Sequence, residues 1–193
     1  MSKPRVAVLI SGRGSNMMAL IEAASDPAYP AEIVCVLSNR ADAAGLPFAA
    51  GHGIATAVID HKMYASREAF DSALHDKLRD LRIDIVALAG FMRMLSPDFV
   101  DKWAGRMINI HPSLLPAYKG LHTHARAVAD GAAVHGCTVH LVTAGLDDGP
   151  VLMQAPVPIR AGDTPESLAA RVLVEEYRIY PQALAELARR TIS

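Results

Sequence analysis

Short runs rich in valine and isoleucine alternate along this chain with segments of helical period, and that alternation narrows the available folds more than any other feature. A strand that leads through a helix into the next strand returns to the same end of the sheet. The pattern therefore predicts a mostly parallel, twisted sheet with helices on both faces, an α/β fold. Strands are expected at Arg5–Ile10, Ile33–Ser38, Thr56–Ile59, Ile83–Leu88, Met107–His111, Cys137–Val142 and Val151–Val157. Helices are expected at Asn16–Ala24, Ala41–Ala50, Ser66–Leu81, Pro97–Trp103, His124–Asp130 and from Pro165 to about Arg190. The last is the best marked, because Thr164-Pro165-Glu166 supplies an N-cap, a proline at the first helical position and an early acid. Pro181 should kink or split it, since proline lacks the N–H that the helix needs there. No repeat, low-complexity tract or Gly/Ser linker divides the sequence, so one domain over residues 1–193 is expected.

A chain of this length buries roughly 70% of its unfolded surface, enough for a core without staples. Its 19 basic and 20 acidic side chains nearly cancel, which excludes a broad positive field for nucleic acid and leaves room only for a local basic patch. Cys35 and Cys137 each lie in an apolar, strand-like run with no Cys-x-x-Cys pair, so both are expected as reduced, buried thiols. The apolar run Val6–Ile10 is cut by Ser11-Gly12-Arg13, too early for a signal peptide. No stretch approaches the ~20 apolar residues of a membrane span. These features predict a cytoplasmic protein without nucleic-acid or membrane partners.

Three loops carry polar groups suited to chemistry. Ser11-Gly12-Arg13-Gly14-Ser15-Asn16 follows the first strand and opens a helix, where free N–H groups and the helix dipole favour an anion. Gly14 lets backbone approach a ligand, while Ser15 and Asn16 can cap the helix or donate to phosphate oxygens. As a dinucleotide fingerprint the loop fails: Met17 stands at the third glycine position, and the second strand ends in Ser38-Asn39-Arg40 rather than an acid. A phosphate monoester site and a plain capped turn both fit. In Asn109-Ile110-His111-Pro112-Ser113-Leu114-Leu115-Pro116, strand alternation puts Asn109 and His111 on one face. An amide beside an imidazole can stabilise an oxyanion and move a proton, although a buried histidine with a satisfied neighbour has the same signature. Asp147 and Asp148, in the turn-rich loop Thr143–Pro150, would ordinarily face water; one of them near His111 would orient the ring and favour its charged form. His122, His124, His135 and His140 lack metal-ligand spacing, so metal-free chemistry is expected.

Taken together, five motifs resemble the folate-dependent glycinamide ribonucleotide formyltransferase family: Val8-Leu9-Ile10-Ser11-Gly12-Arg13-Gly14-Ser15-Asn16, Ala87-Leu88-Ala89-Gly90-Phe91-Met92-Arg93-Met94-Leu95-Ser96, Ile108 to Pro116, Gly120-Leu121-His122-Thr123-His124, and Asp147-Asp148-Gly149-Pro150. The resemblance runs over essentially the whole chain and implies a Rossmann-like formyltransferase fold. It implies 10-formyltetrahydrofolate as formyl donor, without a metal, and glycinamide ribonucleotide as acceptor in de novo purine biosynthesis. It implies small-molecule substrates and a monomer or weak homodimer. Carried over by motif, Asn109, His111 and Asp147 form the catalytic group, with Asp147 rather than Asp148 selected by the Asp-x-Gly-Pro pattern. Gly14, Ser15 and Asn16 would hold the ribonucleotide phosphate, and Glu176 its ribose hydroxyls. Met92, Arg93, Met94 and Leu95, together with Asn109 and the loop Thr143, Ala144, Gly145, Leu146 and Asp147, would line the pterin pocket, with Arg67 at its benzoyl-glutamate end. Arg67 and Glu176 could equally be helix-surface charges.

Arg13 and Lys119 depart from the family pattern. Methionyl-tRNA formyltransferases share Asn-x-His and Ser-Leu-Leu-Pro but normally add a C-terminal domain and a basic tRNA surface. Formyltetrahydrofolate hydrolases usually add an N-terminal regulatory domain. A non-catalytic nucleotide-binding module would use the first loop alone.

Overall fold

A computed structural model describes residues 2–191; the outer bounds of the expected domain, residues 1 and 192–193, lie outside it. Seven strands form one sheet in the order β3-β2-β1-β4-β5-β6-β7. They are β1 (Arg5–Ile10), β2 (Glu32–Ser38), β3 (Ala55–Val58), β4 (Ile85–Leu88), β5 (Met107–His111), β6 (Val134–Leu141) and β7 (Val151–Pro158). The helices are α1 (Ser15–Ala24), α2 (Gly45–Gly51), α3 (Arg67–Asp80), α4 (Pro97–Lys102), α5 (Thr123–Ala129) and α6 (Pro165–Thr191). Strands β1 to β5 pair in parallel, whereas β6 runs antiparallel to both β5 and β7. The expected mixed α/β architecture is therefore present, with an antiparallel edge that sequence period does not reveal.

Burial follows from strand position. β1 and β4 lie at the centre of the sheet and are covered on both faces, which explains their unbroken apolar runs. One core layer joins Val6, Val8 and Ile10 to α1 and to Val172, Ile179 and Leu184 of α6. The other joins Ala7, Leu9 and Val86 to Phe70 and Leu74 of α3 and to Phe99 and Trp103 at α4. Tyr180 of α6 is fully buried and donates its hydroxyl to the Leu88 carbonyl at 2.8 Å, fastening this helix over the end of β4.

Several boundaries move for local reasons. α2 begins at Gly45 instead of Ala41, because Arg40 and Asp42 pair at 2.7 Å across a turn that precedes the helix. α6 runs without a break through Pro181, so the expected split does not occur. Ser66 caps α3 by accepting from Ala69 N–H, and Thr164 and Ser167 exchange hydrogen bonds at the start of α6.

Candidate active site

The first loop is shaped by what Gly14 permits. Gly14 adopts φ 66°, and a Cβ there would stand 2.9 Å from the end of Met17 and 3.3 Å from Ile10. The left-handed turn therefore closes only on a glycine, and it delivers the start of α1 beside the end of β1. No side chain among the described residues caps this helix, so the capping role open to Ser15 and Asn16 is not realised and the opening amides remain available to a ligand. The cleft in front of them, about 540 Å³, is bounded by Ser11–Asn16, Asn39, Arg40, His61, Ala89, Gly90, Met92 and Arg93. It opens between β1 and β4, where the sheet's winding reverses and α/β proteins hold ligands. Ser11 braces its floor, donating to Asn39 Oδ1 at 2.6 Å and accepting from Met92 N–H at 2.8 Å.

Asn16 lines this cleft, but its amide nitrogen is already engaged. Its Nδ2 donates to Glu176 Oε2 at 2.7 Å, and its Oδ1 is buried with no partner among the described residues. Glu176 is thus a buried group facing α1 rather than a surface charge. Burial pushes its carboxyl up, against the smaller opposing effect of the Asn16 bond. An orphaned amide oxygen next to a carboxyl of raised pKa is an arrangement with hydrogen-bonding capacity to spare for a ligand's hydroxyls.

The second group is assembled across β5 and β6. Their antiparallel register sets His140 opposite Asn109, and Asn109 Nδ2 lies 3.3 Å from His140 Nε2. His140 Nδ1 donates to the Leu141 carbonyl at 3.0 Å, leaving Nε2 free of a proton to accept from Asn109. Burial holds His140 below the ordinary histidine range, only partly opposed by the Leu141 bond and by Asp147, so the ring is neutral near pH 7. His111 is buried at the end of β5; its Nε2 donates to the Tyr118 carbonyl at 3.0 Å, and its Nδ1 faces Asp147 Oδ2 at 3.4 Å.

Asp147 reaches this position because the loop after β6 folds back over the sheet. With φ 47° it sits in left-handed backbone, and its Oδ2 accepts from Gly120 N–H at 2.9 Å. Asp148 points outward and pairs with Lys119, so the two adjacent acids are separated as the motif implies. His140, the Tyr118 carbonyl and the Gly120 amide were not singled out as site groups from sequence. Only the β5–β6 register could have signalled His140, and the other two are backbone groups.

A second, narrower pocket of about 150 Å³ lies beside this cluster. Arg93, Met94, Leu95, Asn109 and Thr143–Asp147 all line it, with Leu88, Phe91, Val100, His140 and Val142. Met92 does not; it borders the first cleft instead, because the chain turns there and Arg93 is shared by both. Arg67, exposed at the first residue of α3, borders neither cleft among the described residues. Met94 and Leu146 in the lining of the narrower pocket leave 58% and 56% of their surface exposed, an apolar rim of the kind that a ligand covers. Two other histidines pack together: His124 and His135 meet edge to face at 5.1 Å, and burial drives His135 down to about 4. No group of three or more potential metal ligands occurs among the described residues, and none of their helices is long and apolar enough to cross a membrane.

A family model of formyl transferases matches residues 4–184. The crystal structure of phosphoribosylglycinamide formyltransferase from Brucella melitensis superposes with a TM-score of 0.93 at 54% identity, covering 97% of this chain and 96% of that one. Phosphoribosylglycinamide formyltransferase of Escherichia coli (strain K12) is 48% identical over 183 residues, 95% of this chain and 86% of that protein. The trifunctional purine biosynthetic protein adenosine-3 of Bos taurus is 51% identical over 186 residues; these make up 96% of this chain but only 18% of that much longer protein.

Proposed function

This chain belongs to the formyl transferase family, and on that premise we propose that it moves a formyl group from 10-formyltetrahydrofolate to the amine of glycinamide ribonucleotide, a step of purine biosynthesis. We read residues 1–193 as one such domain. The observation that carries the reading is the cluster of Asn109, His111, His140 and Asp147 set beside two clefts that share Arg93, one polar and one narrow and apolar-rimmed.

The clefts divide the substrates by chemistry. The α1 amides with Gly14, Ser15 and Asn16 suit a phosphate monoester, and Glu176 with the spare Asn16 oxygen suits ribose hydroxyls. The second pocket suits a flat heterocycle: Met94 and Leu146 flank it, and the Thr143–Asp147 backbone offers donors and acceptors to its edge. Arg67 is the most remote assignment, at the outer end of α3 where Phe70 packs against Phe91.

The donor supplies an N-linked formyl group, whose carbon is attacked by the acceptor amine. Negative charge then builds on the formyl oxygen. Asn109 Nδ2 needs only to leave His140 Nε2, a 3.3 Å contact, to donate to that oxygen. The Tyr118 carbonyl keeps a proton on His111 Nε2, so Nδ1 is the nitrogen that can gain or lose one. A proton on Nδ1 faces the Asp147 carboxylate at 3.4 Å, so the ring, like Asn109, donates to the oxyanion only by turning one N–H from its present partner. The proton shed by the attacking amine passes to the departing folate nitrogen as the C–N bond breaks, with His111 and Asp147 placed to hold it between the two.

An absorbance assay of purified protein with 10-formyltetrahydrofolate tests this directly. Glycinamide ribonucleotide should be formylated and initiator Met-tRNA should not. Transfer to the tRNA alone, or release of formate without an acceptor, would replace this reading with one of the two rival activities.

A further inference from the structure

The segment 117–122 carries two backbone groups of the cluster, the Tyr118 carbonyl on His111 and the Gly120 amide on Asp147, yet little in its own conformation holds it there. Tyr118, Gly120 and His122 all have positive φ, at 54°, 80° and 57°, a costly arrangement for the two non-glycine residues. Such a segment keeps its shape only if outside contacts over-determine it. Two are present. Arg126, on α5, donates one guanidinium nitrogen to the Lys119 carbonyl at 2.7 Å and towards Leu121 at 3.4 Å, and its guanidinium carbon lies 5.3 Å from the centre of the Tyr118 ring. From the other side, the Lys119 ammonium pairs with Asp148, the residue next to Asp147 in the second loop. Lys119 holds the Asp148 carboxyl below its usual range, as a formed pair requires.

We propose that Arg126 and the Lys119–Asp148 pair are positioning residues: a clasp that joins segment 117–122 to the loop 143–150 and so sets where His111 and Asp147 meet. The proposal rests on the formyl-transfer reading for its catalytic consequence. Arg126 acts from behind, through the backbone and the Tyr118 ring. The ion pair acts across the front, between the two loops whose inner groups touch the reacting centre. An exposed ion pair is ordinarily a weak contact, so Arg126 is the stronger half.

Arg126→Met keeps a long side chain over Tyr118 but removes both carbonyl contacts. Because small misplacements at a reacting centre are expensive, we expect kcat/KM for formyl transfer to fall about tenfold with little change in melting temperature. Hydrogen exchange at the Gly120 amide should accelerate at the same time. Lys119→Asp should cost about threefold by placing two acids together, and adding Asp148→Lys should restore most of the rate. A native rate together with unchanged Gly120 exchange in Arg126→Met would overturn the clasp, as would a charge-reversed pair no better than Lys119→Asp alone. If the wild-type protein transfers no formyl group, the functional reading fails instead, while Gly120 exchange still tests the clasp without reference to activity.

Discussion

The polar cleft and the catalytic cluster stand side by side but are built by different rules. The cleft takes its anion-facing groups from one contiguous stretch, Ser11–Asn16, shaped by a glycine and presented as backbone at a helix start. The cluster takes side chains from β5, β6 and the loop beyond β6, and each is buried or half-buried against one or two specific partners. The contrast teaches where sensitivity should lie. Backbone donors in an open cleft share their work and are hard to delete by substitution. Side chains packed against specific partners are not interchangeable, and removing one strands the groups that it served.

The largest effect should therefore come from His111→Asn, with turnover down by about 10² or more while the fold survives. Steady-state kinetics with circular dichroism checks this, and a near-native rate would move the chemistry away from β5. Asp147→Asn comes next, at roughly 10²-fold or somewhat less, since the ring and the Tyr118 contact remain. Asp148→Asn should cost only a few-fold, because that carboxylate reaches the site solely through Lys119. Finding the two aspartates in the opposite order would undo the division between inner and outer acid.

On the cleft side, Asn16→Ala should weaken glycinamide ribonucleotide binding by about tenfold, the value of one or two hydrogen bonds, with folate binding unchanged. Calorimetric titration of both ligands separates this from a collapsed loop, which would weaken both.

The smallest effects sharpen the comparison through pH, because the two regions carry opposite signs. His135, packed behind segment 117–122, has its folded pKa lowered from 6.5 to about 4. The unfolded chain then binds more protons between those values, so this contribution is complete above pH 6.5 and is lost as pH falls through 4. Glu176 beside the cleft is raised by burial from its ordinary 4.5. Its contribution is complete below that value and is lost as pH rises through the folded pKa. Melting temperatures measured against pH should flatten below pH 6.5 for His135→Phe and above pH 4.5 for Glu176→Gln. The same side responding to both variants would show that the two regions do not titrate separately.

Much of this was legible in the chain. The strand and helix positions follow from period and caps, and β1 and β5 match their expected bounds to the residue. The Gly14 turn and the shared face of Asn109 and His111 could be read from short stretches, whereas the pocket-lining role of Thr143–Asp147 came only from the resemblance. Other features could not. Alternation shows that Cys137–Val142 is a strand but not that it runs antiparallel, nor that it begins at Val134. His140 looked like any histidine in an apolar run until pairing set it opposite Asn109. Asn16 reads as a cap or a phosphate donor, and only the packing of α6 against α1 turns its amide to Glu176.

By itself, then, the sequence determined the elements, their alternation and the turn that presents α1, because hydrophobic period and glycine conformation act over a few neighbouring residues. Tertiary structure alone decided that β6 reverses, that the following loop folds back far enough to bring Asp147 to His111, and that Lys119 and Arg126 hold the opposite wall. Those outcomes depend on strand pairing and burial between distant segments, and no local pattern encodes the partner that a side chain meets once water is excluded.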